Sequence, residues 1–198
     1  MNNYPEYVEV EGKRYKINTD FRVAIECNRI AEDDTIGDYE RVLGIICTLF
    51  GSEAIDNSSH HEKLLKLALK YLSCGKDNNG LEDNEEPDMD YIEDIDYIEA
   101  SFMSDYHIDL SNETMHWWKF MKLMNGLSNS ELGNCCVLNR IRNLRNYNPN
   151  EIKDPKERDK IIKAKEMVRL KKHKKESKVE LTEQQQRSVD EFYKSLGF

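Results

Sequence analysis

Acidic and basic residues occupy separate parts of this 198-residue chain. Residues 77–118 contain 14 Asp and Glu and no Lys or Arg, whereas residues 119–178 contain 17 Lys and Arg against 7 Asp and Glu. Each stretch repels itself and attracts the other. We therefore expect the two stretches to face each other, within one molecule or across an oligomer. The alternative interpretation of this asymmetry is a surface that binds a partner.

The first 76 residues show the pattern of a β-hairpin followed by three helices. Apolar side chains alternate within Tyr7–Val10 and Arg14–Ile17, on either side of a turn that contains Gly12. Helical periodicity predicts the three helices, at residues 21–31, 38–50 and 61–74. The second of these helices is apolar around nearly its whole circumference, so we expect it to lie at the centre of this part of the chain.

Residues 77–89 interrupt the helical periodicity. They contain six acidic residues, Gly80 and Pro87, and no basic residue, which predicts an acidic flexible linker. Beyond it, apolar spacing and capping signals predict four helices, at residues 90–106, 111–126, 128–147 and from Asp154 to a basic cluster at 171–175. A capping box at Thr182 predicts a short last helix.

These elements predict a mainly α protein, a helical bundle in two parts with a small N-terminal β-hairpin. The hairpin and three helices form the first part, residues 1–76. The linker at 77–89 separates it from a helical part at 90–150. Residues 151–198 then supply a basic helix and a short C-terminal helix.

Composition and segment lengths exclude or disfavour several classes of protein. Apolar stretches such as Leu43–Phe50 span a handful of residues, whereas a membrane span needs about 20. The first ten residues have neither the basic nor the apolar region of a secretory signal. Five scattered cysteines are typical of reduced thiols in a cytoplasm. The net charge of −9 disfavours a nucleic-acid binder, although the basic stretch Lys153–Lys178 keeps that alternative open.

The sequence contains no motif for a catalytic, cofactor or metal site. Walker and dinucleotide-binding glycine patterns are missing. His61 and Glu62 begin a zinc-binding H-E-x-x-H pattern, but Leu65 stands where the second histidine is needed. A calcium loop starting at Asp77 fails because Glu82 takes the place of the glycine at its sixth position. We therefore predict no catalytic residues, no cofactor, no metal and no enzymatic activity.

Three carboxylates lie at the predicted start of the fourth helix. Asp90, Asp94 and Asp96 could in principle act as a general acid and base. Acidic residues are favoured at this end of any helix, however, because they interact with the positive end of its dipole. We therefore interpret them as a solvated helix start.

The most distinctive cluster is aromatic and lies within Met115–Phe120. Trp117 and Trp118 point about 100° apart on a helix, so one can enter the core while the other lies at its edge. Core packing is the favoured interpretation, contact with a protein partner is the second, and stacking on nucleic-acid bases is the least favoured. Trp117, Trp118 and Phe120 are the candidate partner-binding residues.

Three segments together carry a family resemblance. They are Val8–Arg22 (VEVEGKRYKINTDFR), Asp96–Leu110 (DYIEASFMSDYHIDL) with Met115–Phe120 (MHWWKF), and Ile152–Lys165 (IKDPKERDKIIKAK). In order and spacing they resemble the fifteenth-gene-product family of tailed phages and prophages of Gram-positive hosts. The resemblance covers about residues 8–172, and the tail from residue 173 to 198 looks like an extension.

The resemblance implies a role in assembling the phage tail. Genes of this kind lie between the tail-tube and tape-measure genes, where tail assembly chaperones are found. Such a chaperone binds the tape-measure protein, or another phage tail protein, in the cytoplasm of the bacterial host cell and has no catalytic residues. A homo-oligomer is compatible with this role. The alternatives are a structural tail or neck component that stays in the virion and a nucleic-acid-binding regulator.

Overall fold

The computed structural model describes residues 4–76, 87–129 and 135–171. Its two strands are β1 (Tyr7–Val10) and β2 (Lys13–Lys16). The α-helices of the described ranges are α1 (Phe21–Ala31), α2 (Asp38–Phe50), α3 (His61–Leu72), α4 (Ile95–Tyr106), α5 (Trp117–Asn125), α6 (Val137–Asn146) and α7 (Pro155–Met167). The expected mainly α fold with an N-terminal hairpin is confirmed. Most of the predicted linker, the basic cluster beyond Lys171 and the short last helix lie outside the described residues.

The hairpin is antiparallel and pairs Tyr7 with Lys16 and Val10 with Lys13. Its turn consists of Glu11 (φ 50°) and Gly12 (φ 79°), so both turn residues adopt the left-handed conformation that a tight hairpin requires. The Lys63 ammonium of α3 pairs with the Glu11 carboxylate and fastens the turn to the helices. Because the turn contains only Glu11 and Gly12, β2 begins at Lys13, one residue earlier than predicted.

The first three helices follow the prediction closely. The bounds of α1 and α2 agree with the predicted ones, and α2 packs against both α1 and α3, as expected of a central helix. α3 ends at Leu72 instead of Cys74. Cys74 (φ 57°) and Gly75 (φ 76°) turn left-handed there, and the Gly75 N–H donates to the carbonyl of Lys70 at 2.8 Å. This closing bond is typical of a helix C-terminus.

α4 and α5 begin later than the sequence predicts because aspartates close turns in front of them. The Asp90 carboxylate accepts the N–H groups of Ile92 (2.7 Å) and Glu93 (2.8 Å), so α4 starts at Ile95 instead of Asp90. In the same way, the Asp109 carboxylate accepts the Ser111 N–H at 3.0 Å. α5 therefore starts at Trp117 instead of following Ser111 directly.

The start of α6 depends on a side chain from another helix. The described part of α6 begins at Val137, and its N-cap residue, Cys136, contributes no side-chain hydrogen bond. Ser101 of α4 instead accepts the Leu138 N–H at 3.0 Å, in the buried core. Because Ser101 is distant in sequence, no residue near Val137 marks this helix start. The sequence therefore predicted the start at residue 128 instead of at Val137.

The two predicted helical parts share one hydrophobic core. The Phe21 N–H of α1 donates to the Met115 carbonyl at 2.9 Å, and the Trp117 N–H donates to the Thr19 carbonyl at 2.8 Å. These bonds join the start of α1 to the start of α5. The buried side chains of the first part and of α4, α5 and α6 form a continuous cluster. The apolar contacts that stabilise one part therefore depend on the other.

Candidate protein-interaction surface

Two of the three candidate partner-binding aromatics are core residues. Trp117 is 1% exposed, and its indole N–H donates to the Leu72 carbonyl at 2.9 Å. Phe120 is fully buried between Phe21 and Phe102, at ring-centroid distances of 4.6 Å and 5.2 Å. Their side chains join α5 to the first part and to α4. They leave no surface for a partner in this fold, so the core interpretation applies to both.

Trp118 lies at the edge of the core, as the 100° separation from Trp117 predicts. Its indole N–H donates to the Tyr71 carbonyl at 2.9 Å, and its ring stacks on the Tyr71 ring at 6.1 Å. A Cβ atom on Gly75 would lie 3.2 Å from the Trp118 ring, which leaves little room for any larger residue. Trp118 therefore fastens α5 to the end of α3 and keeps only part of its ring accessible.

His116 caps α5 and ties it to the N-terminal segment. Its Nδ1 accepts the Trp118 N–H at 3.0 Å, which places the proton on Nε2, where it faces the Pro5 carbonyl at 3.1 Å. Burial lowers the pKa of His116 below its ordinary value of 6.5, and the Pro5 carbonyl opposes this effect. The folded protein therefore favours the neutral imidazole.

The lowered pKa of His116 predicts a loss of stability in mild acid. Below pH 6.5 the unfolded chain binds a proton at this site more readily than the folded chain, so stability falls as the pH decreases from 6.5 to the folded pKa. We expect the drop in Tm between about pH 7.5 and about pH 5.5 to be smaller in His116→Asn, which keeps an N-cap acceptor but does not titrate. Equal drops in the two proteins would contradict this assignment.

Among the described α-helices, α7 has the fewest buried residues. None of its residues is buried, although it contains Ile161, Ile162, Ala164 and Met167. Met167 is 87% exposed, and about half of the Ile162 side chain is exposed. A helix of 13 residues is marginal by itself in water, so its stability depends on contacts at its ends and sides.

An open groove separates α6 from α7. The groove has a volume of about 670 Å³, and four of the side chains that line it are apolar. Its lining residues are Asn143, Leu144, Tyr147, Ile152, Lys153, Asp154, Glu157 and Ile161. Tyr147 is 41% exposed, and its backbone carbonyl accepts a hydrogen bond from the Lys165 ammonium. The groove is thus a partly apolar channel between α6, which has two buried residues, and α7, which has none.

A buried ion pair anchors the far end of α7. The Arg145 guanidinium binds both oxygens of Asp94, at 2.6 Å and 2.7 Å, and Asp94 is 1% exposed. Arg145 also donates to the carbonyls of Val168 (2.6 Å) and Asp88 (2.8 Å). We call Arg145 and these three partners the Arg145 clamp. It connects α6 to the start of α4 and to the chain that leaves α7.

Further contacts around the Arg145 clamp join the acidic and basic stretches of the chain. Arg142 pairs with Asp88 at 3.1 Å, and the backbone N–H of Lys171 donates to the Glu93 carboxylate at 2.8 Å. Leu170 is buried beside them. The expectation that the two stretches face each other is therefore confirmed within one molecule at these points. The interpretation of Asp94 as part of a solvated helix start is wrong.

Comparison of the chain with models of known protein families identifies its family. The family model for the bacteriophage Gp15 protein matches residues 1–170 of the chain. The chain belongs to this family, which confirms the resemblance seen in its three segments. No curated protein and no solved structure shows a significant match.

The described ranges contain neither a candidate membrane span nor a candidate metal site. Among the helices of residues 4–76, 87–129 and 135–171, none has the length and apolar character needed to cross the bilayer. In the same part of the chain, no three His, Cys, Asp or Glu side chains converge in a way that could hold a metal ion.

Proposed function

We propose that this phage protein is a non-enzymatic tail assembly chaperone that binds the tape-measure protein of its own phage in the host cytoplasm. The observation that carries the proposal is the open groove between α6 and α7. Membership of the bacteriophage Gp15 family supports a phage role. We infer that a helix of the tape-measure protein occupies the groove.

The lining of the groove suits an amphipathic helix. Leu144, Tyr147, Ile152 and Ile161 offer apolar contacts along the channel, while Lys153 and Glu157 provide polar groups at its rim. Amphipathic helices dock in such grooves through apolar residues spaced three and four apart. Because α7 has no buried residue, it can shift slightly to fit different helices without breaking core contacts. A chaperone that must bind many turns of a long helical client needs such tolerance.

Co-expression with the tape-measure protein tests this proposal. We expect the tagged wild-type protein to raise the soluble fraction of the tape-measure protein and to co-purify with it. Tyr147→Asp and Ile161→Asp place a charge in the groove and are expected to reduce co-purification by about tenfold or more. Leu69→Asp, at a half-exposed position of α3, is the matched control and is expected to bind like wild type.

Three outcomes would contradict the proposal. If the tape-measure protein stays insoluble and unbound beside the wild-type chain, the chaperone role is wrong. If both groove variants bind as well as Leu69→Asp, the groove is not the binding site. If mass spectrometry finds the protein in purified virions in stoichiometric amount, the alternative of a structural tail or neck component replaces the chaperone.

A further inference from the structure

A stripe of lysines runs along the solvent side of α7. Lys156, Lys160 and Lys163 are spaced four and three apart and therefore lie on one face, and Met167 continues it by four. All four side chains are exposed. Within the described residues, the three ammonium groups have no acidic partner. We call these four residues the α7 stripe. Its charge is therefore not paired by any acidic group of the described residues, and its far end is apolar.

α4 presents a stripe of opposite charge with the same spacing. Asp96, Glu99 and Met103 are three and four residues apart on the outer side of α4. Ile92 lies in the turn four residues before Asp96, and both Ile92 and Met103 are nearly half-exposed. Among the described residues, neither Asp96 nor Glu99 has a basic partner. We call these four residues the α4 stripe.

We propose that the α7 stripe of one molecule packs antiparallel on the α4 stripe of a second copy of this chain. In that alignment Lys163 faces Asp96 and Lys160 faces Glu99. Met103 then contacts the aliphatic part of Lys156, because long cationic side chains cover apolar surface with their stems. At the other end, Met167 contacts Ile92. Two charge pairs are thus flanked by two apolar contacts.

Both stripes lie at the surface of the same molecule, with Glu99 partly buried, and no ion pair joins them there among the described residues. If each copy engages the other reciprocally, the contact closes into a two-fold dimer, and if it repeats head to tail, it produces a ring or a helical filament. The contact is short, because a helix of 13 residues is about 20 Å long. We therefore expect weak, salt-sensitive association. This inference does not depend on the tape-measure proposal, since the groove and the two stripes share no residue.

Charge reversal tests the contact. The first variant carries Lys156→Glu, Lys160→Glu and Lys163→Glu, and the second carries Asp96→Lys and Glu99→Lys. Sedimentation velocity over a concentration series at low ionic strength measures self-association. We expect the wild-type mass to rise with concentration, each variant alone to raise the dissociation constant by about tenfold or more, and an equimolar mixture of the two to associate again.

Two control variants separate this contact from the effect of net charge. Lys16→Glu, Lys70→Glu and Lys119→Glu make the same charge change as the first variant at exposed positions elsewhere, and Glu53→Lys with Asp56→Lys matches the second. The controls should associate like wild type. A wild-type chain that stays monomeric at all concentrations would overturn the proposal. So would association that both variants retain, or a mixture of the two that fails to associate.

Discussion

Replacing Arg145 with methionine lowers the free energy of unfolding by about 3–5 kcal/mol, because it leaves the buried carboxylate of Asp94 without its cation. Asp94 is 1% exposed and receives both of its short ionic contacts from Arg145. The carbonyls of Val168 and Asp88 lose their guanidinium donor in the same step. Urea unfolding followed by circular dichroism measures the loss.

Two further variants make this prediction specific to the buried charge. Adding Asp94→Asn to Arg145→Met removes the unpaired charge, so the double variant should be more stable than Arg145→Met alone. Arg140→Met changes an exposed arginine of the same helix and should alter stability by no more than about 0.5 kcal/mol. An Arg145→Met protein as stable as Arg140→Met would show that the Arg145 clamp contributes little.

Phe120→Ala is expected to lower the free energy of unfolding by about 3–5 kcal/mol. The ring stacks on Phe21, Phe102 and Trp117, so truncation opens a cavity where α1, α4 and α5 meet. Phe120→Leu keeps most of the volume and should cost about 1 kcal/mol. Lys119→Ala, one residue away and exposed, is the surface control. Thermal and urea unfolding provide the comparison.

The two Phe120 variants together show whether Phe120 is a core residue or a partner contact. If Phe120 packs only in the core, Phe120→Leu should bind the tape-measure protein like wild type. Normal stability of Phe120→Ala combined with weaker client binding would contradict the core assignment. It would support the earlier alternative, in which the aromatic cluster contacts a partner.

The sequence predicted the fold best where the determining signals are local. α1 follows the N-cap Asp20, whose carboxylate accepts the Arg22 N–H at 2.9 Å, and α2 ends where Gly51 reverses the chain. Both helices were predicted with the observed bounds. The starts of α4 and α5 were predicted too early because an aspartate turn and a helix N-terminus use the same residue types.

The Arg145 clamp was missed because sequence reasoning treated acidic residues at a helix start as solvated. A signal was nevertheless present. Asp94 precedes Ile98 by four residues and therefore lies on the buried side of α4, and Arg145 follows Leu138 by seven on α6. Opposite charges on the core faces of two helices predict a buried pair once the helices are known to be neighbours. That the two helices are neighbours is a property of the tertiary fold, and no short sequence motif records it.

The interaction surface was predicted only in outline. The sequence predicted a basic helix after Asp154 but did not show which of its faces stay accessible. The structure holds α7 at its ends and leaves both its groove side and its lysine side accessible. The candidate aromatics, in contrast, lie mostly in the core, since the Trp117 and Phe120 positions share one helix face.

Amide hydrogen exchange of this chain, with and without its tape-measure protein, shows whether the groove between α6 and α7 binds the client. Binding is expected to slow exchange in residues 143–168, which include the two walls of the groove, and to leave exchange in the hairpin and α1 unchanged. Slower exchange confined to other parts of the chain, or no change anywhere, would contradict the assignment of the groove as the client-binding site.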